Sequence, residues 1–417
     1  MVLSFSLHRS AGFRCYLGRE DSTELRGAWD MKWDIIRLGE VMDVKHGYAF
    51  KGKYFSDAGD YILLSPGNCY ESGGLKLKGE KEKYYTGEFP EEYLLNDGNM
   101  LVVMTDLINT APILGGSFLI PEDNRFLHNQ RLGLVQITND KRIDKLFLYY
   151  LLNTHDYRGQ VRGSASGATV RHTSPERIRQ CKIKIPHEIG VQEKIGSTLA
   201  TYDNLIENNR RRMVLLEESA RQLYQEWFVR LRFPGREHTR IIKGVPEGWE
   251  SVQFEEALVL QRGFDLPVQS REEGEVPIYG STEINGYHSK AKVQGPGIVT
   301  GRSGTLGEVQ FVPTDYWPLN TALWVKEFKM VTPLFALYMM REMNLKQYNG
   351  GASVPTLDRK SVHRVKILVP PKKLLNVFNE VATSIFDQMG NLTLQSQKLR
   401  AARDLLLPRL MNGEIAV

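Results

Sequence analysis

The stretch Glu193–Arg230 limits what this chain can become. Ile195, Leu199, Tyr202, Ile206, Asn209, Met213, Leu216, Ala220, Leu223 and Trp227 recur along it at intervals that alternate four, three, four, three. The segment has no Gly after Gly196 and no Pro. That spacing predicts one long helix with a continuous, mostly apolar seam. At about 1.5 Å per residue the helix would span roughly 57 Å. One small domain cannot cover such a rod, so it needs a partner helix.

The C-terminal region supplies the partner. Phe378, Ile385, Leu392, Leu399 and Leu406 fall on a seven-residue spacing, with Met389, Ala402 and Leu410 in neighbouring seam positions. Ser396 and Arg403 interrupt the second row, which makes this the weaker zipper. The two helices are expected to pair antiparallel, because the segments before them also look duplicated and a twofold arrangement brings their helices together head to tail.

The duplication has a long period. Trp33–Glu40 leads to Gly47-Tyr48-Ala49-Phe50, and Trp249–Glu256 leads to Gly263-Phe264. Short strand-like runs follow, at Met100–Met104 and Leu132–Ile137 in the first copy and at Ile298–Thr300 and Glu308–Val312 in the second. Each copy then has a helical piece, Leu146–Tyr150 or Leu334–Tyr338, and a Gly/Ser-rich loop, Gly163–Val170 or Gly350–Val354. A last strand ends in Pro, at Lys182–Pro186 and Lys366–Pro370, and a long helix follows. The first copy is about thirty residues longer, mainly in its middle. Unequal inserts on one framework suggest one task performed on two targets.

Composition narrows the class. The 417 residues are 41% hydrophobic and 25% charged, as in a folded globular protein, and no run of about 18 apolar residues occurs to span a membrane. Residues 1–30 are too polar and interrupted for a secretory signal and read as a poorly ordered leader, with Met31 as an alternative start. Cys15, Cys69 and Cys181 are odd in number and scattered, which favours a reducing, cytoplasmic setting over a disulfide framework. The nine histidines show no ligand spacing, so no metal site is expected. A net charge of +5 hints mildly at an anionic partner.

Motifs of catalysis are weak. Gly47–Lys53 has the G-x4-G-K spacing of a phosphate loop, but Tyr54 stands where Ser or Thr would hold Mg²⁺ and no amphipathic helix follows. The run Gly295–Gly304 contains Pro296 and likewise precedes no helix, so it reads as tight strand connections rather than a dinucleotide loop. No nucleophile elbow or triad is supported, and the pairs Glu91-Glu92 and Glu217-Glu218 read as solvated faces.

Loop cations are more informative. Lys51, Lys53, Arg125, Arg131, Arg162, Arg171 and His172 in the first copy are candidates to neutralise phosphates. Arg262, Lys290, Lys292, Arg302, Arg359 and Lys360 are the candidates in the second, and arginines among these can also grip guanine edges. Small residues in the Gly/Ser loops would let backbone N–H groups approach a phosphate, or simply make turns.

A set of ordered motifs adds a resemblance. Val191-Gln192-Glu193-Lys194-Ile195, Tyr202–Arg210, Glu226-Trp227-Phe228-Val229, Arg232-Phe233-Pro234-Gly235, Val245–Trp249 and Leu406–Ile415 together resemble the specificity subunit of Type I restriction-modification enzymes, over 31–417. His128-Asn129-Gln130-Arg131 resembles a recurrent turn of the recognition domains, whereas the second helix opens on Lys372-Lys373-Leu374-Leu375 and lacks the Gln-Glu-Lys start.

The resemblance implies an α+β chain. Two α/β target recognition domains, 31–187 and 249–370, would each precede a long spacer helix, 188–232 and 371–417, with a linker at 233–248. Pseudo-twofold symmetry would relate the halves. It further implies a non-catalytic reader of split double-stranded DNA sites, docking two methyltransferase subunits on its paired helices, with restriction subunits joining through that core. S-adenosylmethionine, ATP and Mg²⁺ would belong to the partners, not to this chain. A rod of roughly 57 Å equals about 17 base pairs at 3.4 Å each, an upper bound on the unread gap. A stand-alone bipartite DNA-binding regulator is the alternative.

Overall fold

The computed structural model describes residues 32–351 and 353–417. The leader at 1–30, Met31, Cys15 and Ala352 lie outside the described residues. The architecture is α+β, a repeated sheet-containing domain with a long helix after each copy, Ile189–Tyr224 and Lys372–Met411. Two compact units emerge, one running to Ile206 and including Gln397–Val417, the other Glu207–Ser396. These units cut across both long helices instead of following the sequence boundaries. The reason is packing: each core is closed by one end of each helix.

In the first unit, Trp33–Arg37 pairs antiparallel with Lys182–Pro186. A four-stranded antiparallel sheet then runs Met42–His46, Leu132–Ile137, Met100–Val103, Ser117–Leu119. Met100–Val103 is buried along its whole length, which is why it reads as an unbroken apolar run. A second sheet orders Phe55–Ser56, Tyr84–Tyr85, Tyr61–Leu63, Phe126–Leu127 and Leu94–Leu95. Helix Lys145–Leu151 starts where the Asp144 carboxylate accepts the Phe147 N–H at 2.7 Å. Helix His155–Ser164 absorbs the first two residues of the Gly/Ser stretch.

The second unit repeats the plan. Glu250–Gln253 pairs with Lys366–Val369, and the four-stranded sheet runs Leu258–Arg262, Ala322–Phe328, Gly297–Gly301, Val309–Val312. Its smaller sheet has only Ile284–His288, Val276–Tyr279 and Trp317–Pro318. The outer strands Phe55–Ser56 and Leu94–Leu95 of the first unit have no counterpart among the described residues, which locates part of the extra length of the first copy. Phe233, from the sequence-expected linker, is buried against Trp249 at 5.5 Å between rings, so the segment after the first helix is partly core.

One backbone crossing recurs in both units. Tyr48 bridges Asn129 and Phe264 bridges Leu319, both parallel. A Cβ on Gly47 would lie 2.2 Å from the Asn129 carbonyl oxygen, and one on Gly263 would lie 2.1 Å from that of Leu319. Only glycine permits either approach. His128 beside the first crossing is fully buried, with Nε2 2.9 Å from the Leu132 carbonyl oxygen, and burial lowers its pKa from 6.5 to about 4.

Within the second unit the helix segments run antiparallel. Asn209 Nδ2 donates to Ser396 Oγ at 3.4 Å, Thr393 Oγ1 to Met213 Sδ at 3.3 Å, and Phe378 packs on Tyr224, Trp227 and Phe228. Leu216, Leu223 and Ile385 are half-buried on the same seam, and Leu392 is buried. A π-helical turn, Gln225–Val229, ends the first helix and brings Phe228 into the core beside Tyr224. Within the first unit, Ile195, Leu199 and Leu410 are buried in one core, Leu406 packs against it, and Tyr202, Ile206 and Leu399 are half-buried. Arg403 pairs there with Asp203, whose other oxygen accepts the Tyr150 hydroxyl at 2.6 Å. The two interruptions of the second seam thus meet polar partners from the first helix. Gln192 brackets the start of that helix: its side chain is fully buried, accepts from Asp144 N–H and donates to the carbonyls of Arg142 and Pro186.

Replacing Arg403 by Leu should strand the Asp203 carboxylate and destabilise the first unit by about 2 kcal/mol, a figure below that of a fully buried pair because both groups keep some solvent. Arg403→Leu with Asp203→Asn, which removes the stranded charge but keeps an acceptor for the Tyr150 hydroxyl, should recover most of the loss; calorimetric melting of both variants checks this. Because the folded pKa of His128 is depressed, the unfolded chain takes up the proton first as pH falls. Stability should therefore drop from pH 6.5 to about 4, by up to about 3 kcal/mol, and His128→Gln should flatten that limb of a melting-temperature profile.

Candidate nucleic-acid interface

The crossing at Gly47 and Gly263 gathers loops at one end of each four-stranded sheet. In the first unit, Met104 N–H donates to the Arg131 carbonyl and Thr173 N–H to that of Met104. Thr105 and Asp106 pair antiparallel with His172 and Arg171. In the second unit, Arg302 N–H donates to the Thr321 carbonyl, Leu357 N–H to that of Arg302, and Ser303 bridges Thr356. Arg302 therefore occupies the place of Met104.

The Gly/Ser loops are matching hairpins. Ser166 and His172 close one, exchanging both backbone hydrogen bonds, while Gly350 donates to Thr356 in the other. At the turn, a Cβ on Gly167 would meet the Val170 carbonyl oxygen at 2.0 Å, and one on Gly351 that of Val354 at 2.1 Å. Register then holds residue for residue through the caps Ser174 and Asp358, the short helices Pro175–Gln180 and Arg359–His363, and the last strands. Both carry Gly-Ala-(Thr or Ser)-Val, and the first has Arg171 where the second has Pro355.

The sequence-expected cations divide into three groups. Arg125 is in an ion pair with Glu122 at 2.8 Å, Lys290 with Glu272 at 3.5 Å, and Arg262 with Asp265 at 4.0 Å. These already have carboxylate partners. A second group is held by neutral oxygens or rings: Arg171 donates to the carbonyls of Gly167 and Arg162, Arg302 to that of Asn320, and Arg359 to that of Leu260. His172 Nδ1 lies 3.0 Å from Thr105 Oγ1, Lys53 sits over the Tyr54 ring, and Lys292 sits over Phe264 and Trp317. Lys51, Arg131 and Lys360 are exposed side chains, and Arg162 is half-buried at the end of its helix without an ion pair among the described residues. Arg131, Arg171, His172 and Arg302 lie in or next to the loop clusters by backbone pairing. Arg177 was not singled out by sequence reasoning. It donates to Ser166 Oγ at 2.9 Å, and its signal was its place one turn after the Ser174 cap, directly behind the loop.

Other chemistry finds little footing. Gly47 abuts the Asn129 backbone and Gly52–Tyr54 is a single 3-10 turn leading into a strand, so the Gly47–Lys53 spacing builds no phosphate cradle. Gly297–Gly301 is a buried sheet strand whose first glycine lies under the Tyr316 ring. Cys69 and Cys181 are buried and free; burial pushes their thiols up to about 12 and about 11, away from nucleophilic use. Glu217 is more than a solvated face, since it accepts from Arg341 and Tyr338. Among the described residues there is no group of three or more His, Cys, Asp or Glu placed to hold a metal ion, and no helix long and apolar enough to cross a membrane.

Comparison with known proteins agrees with the duplicated plan. Over 300 residues the chain is 25% identical to the Type I restriction enzyme MjaIX specificity subunit of Methanocaldococcus jannaschii, covering 65% of this chain and 69% of that one. It is 23% identical over 339 residues to the EcoBI specificity subunit of Escherichia coli, covering 73% and 68%. A crystal structure of a Type I restriction-modification S subunit from M. genitalium has a similar fold, with a TM-score of 0.55 at 16% identity over 92% of this chain and 96% of that one. The family model described as Type I restriction modification DNA specificity domain matches twice, at residues 31–218 and 246–402, and the chain belongs to that family.

Proposed function

We propose that this chain is the non-catalytic specificity subunit of a Type I restriction-modification complex. Each unit reads one half of a bipartite double-stranded DNA site with its loop cluster. The observation that carries this reading is the loop cluster built twice on one backbone frame, in the same register but with different side chains, Met104 against Arg302 and Arg171 against Pro355. A frame held constant while its tips differ is what two readings of different base sequences require. Loop cations without carboxylate partners, such as Arg131 and Arg171, supply phosphate neutralisation.

The paired long helices act as the spacer and as the dock for two methyltransferase subunits, with restriction subunits joining that core. S-adenosylmethionine, ATP and Mg²⁺ reside on those partners, in the cytoplasm. The candidate DNA-contacting set remains Lys51, Lys53, Arg131, Arg162, Arg171, His172, Lys292, Arg302, Arg359 and Lys360. Arg125, Lys290 and Arg262 rank below these because each would have to give up an ion pair.

The complex co-expressed with its modification subunit should methylate a split motif with a fixed gap. Inserting one heptad into each long helix should lengthen the accepted gap while leaving both half-sequences unchanged. Methylation mapping of host DNA reads both outcomes; an unchanged gap refutes the spacer role, and an unsplit motif refutes the bipartite reading.

A further inference from the structure

The hairpin between strands Met100–Val103 and Ser117–Leu119 ends in a tip unlike ordinary loop tips. Leu107 and Ile108 stand side by side at 61% and 54% exposure. The loop beneath them is fixed. The Asp106 side chain, only 1% exposed, accepts the N–H of Ile108 at 3.0 Å and of Ile113 at 2.8 Å. Ala111 turns the chain back with φ +51° and donates to the Ile108 carbonyl at 2.9 Å, while Ala111 and Leu114 are buried. Arg158, nearly buried, donates to the carbonyls of Pro112 and Glu71 and ties this loop to its neighbour. Two large apolar side chains are thus displayed on a pre-ordered support, so little ordering remains to oppose binding.

The surroundings say what covers them. Asp106 pairs with Arg171 in the adjoining two-stranded ladder, and Arg162, Arg171 and Arg177 line the hairpin beside it. None of these three arginines is in an ion pair among the described residues. An apolar tip flanked by unpaired cations complements a duplex, whose phosphates bracket base edges and thymine methyl groups. The equivalent tip of the second unit differs: there Gly304 and Thr305 are exposed and Leu306 is turned inward at 6% exposure. A surface for a partner docking alike on both units would be repeated, whereas a base-reading element differs between them.

We propose that Leu107 and Ile108 are specificity-determining residues that make apolar contact with base pairs of the half-site read by the first unit, while Arg171 and Arg177 hold the adjoining phosphates. This inference rests on the DNA-reading role proposed above. The test uses the co-expressed complex, a duplex carrying the mapped motif, and a scrambled duplex. Leu107→Ala with Ile108→Ala, both exposed, should leave the melting temperature unchanged and weaken binding to the motif duplex roughly 10- to 100-fold. The salt dependence of binding should keep its slope, because no phosphate contact is lost, whereas Arg171→Ala should reduce that slope by about one. Methylation mapping should show relaxed recognition in one half-site only. Unchanged affinity and an unchanged motif overturn the proposal, as does loss of the methyltransferase from the complex with motif binding intact. If the unaltered complex itself does not distinguish the motif duplex from the scrambled one, the DNA-reading role falls and this inference with it.

Discussion

Each unit depends on receiving both long helices. Ile195 and Leu199 from the first helix and Leu410 and Met411 from the second complete one core; Ala220, Tyr224, Leu375, Phe378 and Ala382 complete the other. A fully buried large side chain contributes roughly 1.5–3 kcal/mol relative to solvent, so removing either helix end from a core would cost most of the margin by which a domain is folded. The loop cluster of each unit is therefore carried on a sheet whose own stability is tied to the ends of both long helices.

Polarity within the seam sets what the hydrophobic pattern leaves open. A purely apolar stripe tolerates sliding by one heptad, because each leucine finds another leucine. Across the helix pair Arg403 meets the Asp203 carboxylate, in addition to its neighbour Asp404, and Ser396 meets the Asn209 amide. A slipped register would lose these cross-helix contacts and leave Asp203 without its arginine, and that cost favours one register. The first helix opens on a polar bracket, Gln192, and the corresponding region of the second buries Leu375, so the two copies reach the same anchoring by different chemistry.

Much of this was legible in the sequence. Period and length announced both helices, and the tandem order of motifs announced the duplicated sheets and the family. Strands Leu132–Ile137 and Lys182–Pro186 were found with the same ends because alternation and a closing proline are local signals. In sequence the interruptions at Ser396 and Arg403 look like weakness, since their partners on the first helix lie about two hundred residues away along the chain. The cations were visible as a set but not as groups: whether an arginine faces a carboxylate, as Arg125 does, or a carbonyl, as Arg302 does, is decided by tertiary contacts that no spacing encodes. Leu107 and Ile108 escaped notice because an apolar pair in sequence reads as core.

The glycines at 47 and 263 have a consequence for how such a protein can vary. Any side chain there would pry apart the two backbones at the root of the loop cluster, so that crossing is closed to change in each unit. Beyond it the hairpin turns keep the same restriction at Gly167 and Gly351, whereas exposed positions such as Leu107 and Ile108 do not. Tolerance to mutation is thus partitioned in space, and new binding preferences can be explored at the rim without disturbing the scaffold that aims them.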